Sequence, residues 1–123
     1  MARILVVDDE ASIREIARKL LTLHGHAVDT AADGAQAIDM LGKSTYDLML
    51  LDHFMPKIPG IQVVEIVRTS PKFKKLRILM LTSMSVTKDV NEAFEAGIDG
   101  YIIKPFNMKH LIETVEKALK KTR

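Results

Sequence analysis

The sequence predicts a single-domain α/β fold, (βα)5, in which five strands alternate with five helices around a parallel sheet. Three observations predict it. Ile4 to Val7, Leu48 to Leu51 and Ile78 to Leu81 are short unbroken apolar runs bounded by charged or turn residues, as strands buried on both faces require. Between the runs, apolar residues recur every three or four positions, so each intervening segment offers one buried helical stripe. A length of 123 residues suits one hydrophobic core, so the chain is read as one domain over 1–123.

The elements follow in order. After the strand at Ile4 to Val7, Ser12 with Glu15 has capping-box spacing, and Ile13, Ile16, Ala17 and Leu20 mark the first helical stripe. Gly25 stands where a left-handed residue ends a helix. Ala27 to Ala32 mixes small and polar residues into an extended pattern and suits a sheet edge. Asp33 with Gln36 is a second capping box, ahead of the stripe Ala37, Ile38 and Leu41. Leu48 to Leu51 then leads to Ile61, Val64 and Val67, and Ile78 to Leu81 leads to Val86, Val90, Ala93 and Phe94, ended by Gly97. Tyr101 to Ile103 is the second edge-like strand. Asn107 is placed to cap a last helix whose stripe is Met108, Leu111, Ile112, Val115 and Leu119, and Lys117 to Arg123 finishes it or begins a linker.

Strict alternation with short connections implies right-handed crossovers, and three apolar strands with two weaker ones fit the flavodoxin-like order 2-1-3-4-5. Composition removes several functions. There is no cysteine, hence no disulfide framework, thiolate site or cysteine nucleophile. No apolar run approaches the roughly 20 residues of a membrane span, and Met1 leads into a strand rather than a signal peptide, so no membrane association and a cytoplasmic location are expected. A net charge of +2 is too small for a dedicated nucleic-acid surface, and the basic stretch Arg68, Lys72, Lys74, Lys75 and Arg77 reads as a solvated loop.

In such a sheet, ligands bind beyond the carboxyl ends of the strands where strand order reverses, between the first and third. Asp8 and Asp9 follow the first strand, Asp52 the third; Thr82 ends the fourth and Lys104 the fifth. Three carboxylates together repel one another unless a cation sits among them, and Mg²⁺ accepts two carboxylates, a carbonyl and waters, with Mn²⁺ a substitute. Alone, Asp8 and Asp9 would be a polar turn or a helix N-cap. Their recurrence with Thr82 and Lys104 at matching strand ends is what points to a site.

These residues resemble the receiver domain of two-component response regulators, including chemotaxis-type ones, over essentially the whole chain. Val6-Val7-Asp8-Asp9-Glu10 is similar to that family's acidic motif, and Asp52-His53-Phe54-Met55-Pro56-Lys57-Ile58-Pro59-Gly60 to its phosphoacceptor loop; Leu81-Thr82-Ser83 and Lys104-Pro105-Phe106 complete it. The resemblance implies that Asp52 accepts a phosphoryl group from a phosphohistidine on a sensor histidine kinase or phosphotransfer protein. It implies that Asp9, Asp52 and the Phe54 carbonyl ligate the metal, with Asp8 acting through water, and that Thr82 and Lys104 assist catalysis. It also makes the Lys104–Pro105 bond a cis candidate that aims the lysine. Tyr101 becomes the switch partner of Thr82, altering the surface of the fourth helix, fifth strand and fifth helix for a downstream protein target.

The resemblance also places Phe54 and Met84 beside the path of attacking water; both are bulky and apolar, so slow loss of phosphate is expected. His53 is read as facing away from Asp52, by strand alternation. A haloacid dehalogenase-like phosphohydrolase would want a second Asp where Phe54 stands, and a receiver-like module that is never phosphorylated would lack part of the acidic or lysine set. The expected role is therefore a signalling domain and not a turnover enzyme.

Overall fold

The computed structural model describes residues 1–83 and 87–121. Its elements run β1 (Arg3–Val7), α1 (Ala11–Leu23), β2 (Ala27–Ala31), α2 (Gly34–Lys43), β3 (Leu48–Asp52), α3 (Gly60–Arg68), a 3-10 turn (Pro71–Phe73), β4 (Arg77–Thr82), α4 (Thr87–Ala96), β5 (Gly100–Ile103) and α5 (Met108–Lys120). The strands form one parallel sheet ordered β2-β1-β3-β4-β5, the order the sequence predicts.

Strand alternation divides the core in two. Leu5, Met49, Ile78 and Met80 face one way and pack with Ala37 of α2, Val63, Val64 and Val67 of α3 and Ala93 of α4. Ile4, Val6, Leu48, Leu50, Leu79 and Leu81 face the other way, against Ala17 and Leu21 of α1 and Leu111 and Val115 of α5. The outer strands β2 and β5 are only partly covered, as their mixed composition predicts.

Several local expectations are corrected. Helix α1 starts at Ala11 with Glu10 as an N-cap that makes no side-chain cap; Ser12 lies inside the helix, and Glu15 pairs with Arg18 instead. Ile16 is exposed, because at about 100° per residue it sits some 120° round the helix from the buried Ala17–Leu21 line. Leu21 and Val63, which the stripes omitted, are fully buried, and Ile61 is only half-buried. Met108 occupies the exposed first turn of α5, and Phe94 turns out toward Tyr101, ring centroids 6.1 Å apart. Val86 lies outside the described residues.

The other boundaries follow local chemistry. The Asp33 side chain accepts from Gln36 N at 2.8 Å, the Asn107 side chain from His110 N at 2.7 Å, and Gly25 and Gly97 have φ of +87° and +121°. The basic stretch is not one solvated loop. Arg68 donates to the carbonyls of Gly97, Phe73 and Leu76 at 2.8 to 3.0 Å and pairs with Asp99 at 3.2 Å, tying α3 to the turn before β5. Arg77 donates to the Lys121 carbonyl at 2.7 Å; both arginines are half-buried, whereas Lys72, Lys74 and Lys75 are exposed. No helix among the described residues is long and apolar enough to cross a membrane.

Candidate functional site

Parallel register brings the carboxyl ends of β1 and β3 side by side, with Val7 opposite Leu51, so the next residue of each strand meets at the switch point. Asp8 continues the Val6 face and Asp52 the Leu50 face, which puts both carboxylates on the same side of the sheet. Both are buried, Asp8 completely and Asp52 to 4% exposure. Lys104, just past β5, lays its ammonium between them, 2.7 Å from Asp8 Oδ2 and 3.3 Å from Asp52 Oδ1. Its backbone N–H donates to the Thr82 carbonyl at 2.8 Å, and the Lys104–Pro105 bond is cis.

Asp8 is fixed from several directions. Its Oδ1 accepts from Glu10 N at 2.9 Å, and its carbonyl accepts from Arg14 Nη1 at 2.6 Å. Glu10 also reaches Lys104, at 3.8 Å. Sequence reasoning did not assign Glu10 or Arg14 to the site. Glu10 was legible as the third acid of a run, whereas Arg14 depends on the helix start that the Ser12 capping box misplaced.

Carboxylate oxygens of Asp8, Asp9 and Glu10 lie within 4.8 Å of one another. Hard oxygen donors from adjacent acids suit a Mg²⁺-type ion, which keeps several waters and needs few protein ligands. Asp52 joins this group through the Lys104 ammonium. Thr82 is fully buried at the end of β4, one residue beyond the Leu81 that pairs with Asp52. His53 lies on the opposite face, as alternation predicts, with Nδ1 3.1 Å from Met80 Sδ. Phe54 is 59% exposed, edge-on to His53. Tyr101 is exposed, and Met84 lies outside the described residues.

The β3–α3 loop that carries these residues is tightly folded. Ile58 N donates to the Pro56 carbonyl at 2.9 Å, Lys57 has φ of +70°, and Gly60 N donates back to the His53 carbonyl at 2.9 Å. That last bond seats the first turn of α3 directly behind Asp52.

Burial pushes the Asp52 carboxyl up to about 7, helped by the Asp8 charge and a hydrogen bond with Asp9, and opposed by Lys104. Burial acts to lower the Lys104 ammonium, but its bond to Asp8 and the charges of Asp52 and Asp8 together hold it above its usual value. Below about 7 the folded metal-free protein therefore favours a protonated Asp52, whereas the unfolded chain releases that proton above 3.8. Its contribution to stability is present below that point and is lost as pH rises toward 7. Denaturant titrations of metal-free protein are expected to show wild type losing stability relative to Asp52→Asn across this window. A gain by wild type would mean that the pocket already favours ionised Asp52 without metal.

The chain is thus a doubly wound α/β domain with two buried carboxylates and a lysine gathered where strand order reverses. The chain belongs to the response regulator receiver domain family, whose profile matches residues 4–116. The response regulator MprA of Mycobacterium avium is 35% identical over 98% of this chain and 52% of its own length. A probable transcriptional regulator, ycf27, of Guillardia theta is 37% identical over 98% of this chain and 46% of its own. The chain thus spans about half the length of the curated relatives it matches. Among solved structures, chemotaxis protein CheY4 of Vibrio cholerae superposes with a TM-score of 0.92 at 36% identity, covering 96% of this chain and 98% of its own. Response regulator TrrA of Thermotoga maritima, solved in complex with Mg²⁺ and BeF, gives 0.84 at 38%, covering 96% and 99%.

Proposed function

We propose that residues 1–123 form one receiver domain in which Asp52 accepts a phosphoryl group from a phosphohistidine of a sensor kinase or phosphotransfer protein, in a Mg²⁺-dependent step. The observation that carries this reading is the Lys104 ammonium set between two buried carboxylates, at 2.7 and 3.3 Å. Membership of the family supports it, as does a relative solved with Mg²⁺ and BeF.

Asp8, Asp9, Asp52 and the Phe54 carbonyl are the proposed metal set, and Glu10 is close enough to join it. A bound divalent ion would neutralise charge on the phosphoryl oxygens. An Asp52 carboxylate oxygen attacks phosphorus in line while the nitrogen–phosphorus bond of the donor breaks. Lys104 moves its ammonium from Asp8 and Asp52 toward a phosphoryl oxygen, and the Thr82 hydroxyl donates to another.

The new group adds roughly 1.5 to 2 negative charges, which draws Thr82 inward and frees room for Tyr101 to leave its exposed position beside Phe94. The face of α4, β5 and α5 is the surface so changed, and a downstream protein reads it. The domain promotes only its own phosphorylation and dephosphorylation.

The test is intact mass after incubation with Mg²⁺ and a small acyl phosphate. One phosphate is expected on wild type and none on Asp52→Asn. Unmodified wild type, or a modified variant, would sink the reading. Phe54 is exposed, lines the same cleft as Asp52, and has no polar side-chain atom to orient water, so the phosphate is expected to be long-lived. Phe54→Asn with Met84→Glu should shorten its lifetime, followed by the same mass measurement after donor removal; an unchanged lifetime refutes that assignment.

A further inference from the structure

At the other end of the sheet, a cavity of about 490 Å³ opens between the α2–β3 connection and the Pro71–Phe73 turn. Ligand pockets commonly run from ~300 to ~1,000 Å³. Core side chains Leu41, Tyr46 and Leu76 close its floor, and half-buried Phe73 forms a wall. Lys72, Lys74 and Lys75 line its exposed rim.

Those three lysines have no carboxylate within salt-bridge distance among the described residues, while Arg68 and Arg77 of the same stretch are engaged. Lys72 stands 5.5 Å over the Phe73 ring. The carboxylate in the lining, Asp47, is turned to Arg3 N at 2.8 Å. Among the described residues, three lysines without a carboxylate partner therefore border an apolar recess.

We propose that this groove docks an acidic protein segment bearing a bulky apolar residue, which enters beside Phe73 while its carboxylates face the three lysines. Charge complementarity selects the sign of the partner, and the recess supplies the anchor site. The loop amides of Phe73, Lys74, Leu76 and Arg77 already donate to Ser70, Pro71, Phe73 and Asp47, so they do not form a backbone cradle for a phosphate group. Phe73 packs on the core instead of presenting a free face for a nucleobase, and the lysines cluster on one turn instead of tracking a strand. A carboxylate-rich peptide fits better than a nucleic acid.

Asp47 and Asp52 lie five steps apart on extended chain, about 16 Å, so the groove lies apart from the acid pocket. Its test stands independently of phosphorylation. The probe is the acetylated peptide Glu-Asp-Leu-Phe-Asp-Glu, titrated into ¹⁵N-labelled protein. Amide shifts are expected in 41–47 and 71–77. Affinity should fall at least tenfold in Lys72→Glu/Lys74→Glu/Lys75→Glu, with its melting curve checked, and at least tenfold for Glu-Asp-Ala-Ala-Asp-Glu on wild type. Labelling of Asp52 should be unchanged in the triple variant. The proposal is overturned by no shifts at millimolar peptide, by shifts elsewhere, by equal binding of the two peptides, or by tighter binding of oligothymidylate. The peptide comparison uses wild type alone, so poor folding of the variant does not blunt the test.

Discussion

Lys104→Ala is expected to slow phosphorylation of Asp52 by about 10² to 10³-fold, the loss usual when one preorganised group facing transition-state charge is removed. The lysine is already in place before phosphate arrives, 2.7 Å from Asp8 and 3.3 Å from Asp52, so it needs only a short swing to meet a phosphoryl oxygen. Lys104→Arg keeps the charge but replaces a compact ammonium with a planar fork, and should recover only part of the rate. Rates follow from intact mass against time at saturating Mg²⁺. A change under about threefold would remove Lys104 from the chemistry. The same variant leaves Asp8 buried without its cation, and without metal it should be less stable by roughly 3 kcal/mol. Added Mg²⁺ should restore most of that loss.

Gly60→Ala should be the most damaging alanine substitution among the glycines, at about 3 kcal/mol or more. A Cβ there would lie 2.3 Å from the Asp52 carbonyl oxygen and 3.0 Å from His53 Cα. Both are backbone atoms, so no rotamer change relieves the contact, and the Gly60 N to His53 carbonyl bond of 2.9 Å must lengthen. Because that bond seats α3 behind Asp52, Asp52 moves too, and the proposed phosphorylation should fall even where the variant is folded. Gly42→Ala is the control: a Cβ there meets nothing within 4 Å inside α2, so it should stabilise by roughly 0.5 to 1 kcal/mol. Urea denaturation of the two variants decides the matter. A cost below about 1 kcal/mol for Gly60→Ala would show that the loop and α3 can separate freely.

The arrangement of strands was readable because it rests on patterns within single segments. Ile4 to Val7, Leu48 to Leu51 and Ile78 to Leu81 are apolar throughout, which only a doubly covered strand tolerates. Helix faces were less readable where a stripe is wider than the contact it makes. Ile16, Phe94 and Met108 fall on the periodic face yet stay exposed, while Leu21 and Val63 were overlooked and are buried. Periodicity gives a direction round a helix, and the neighbouring element decides how much of that arc is covered.

The candidate site divides in the same way. Strand ends, and with them the positions of Asp8, Asp9, Asp52, Thr82 and Lys104 on one edge, were legible in the sequence, because parallel order and side-chain alternation follow from local chemistry. That Lys104 lies between Asp8 and Asp52, that Arg14 holds the Asp8 carbonyl, and that Arg68 and Arg77 leave three lysines beside a recess came only with the packed fold. Those depend on distances between residues far apart in the chain. Such distances are set by packing, and spacing along a sequence does not record them.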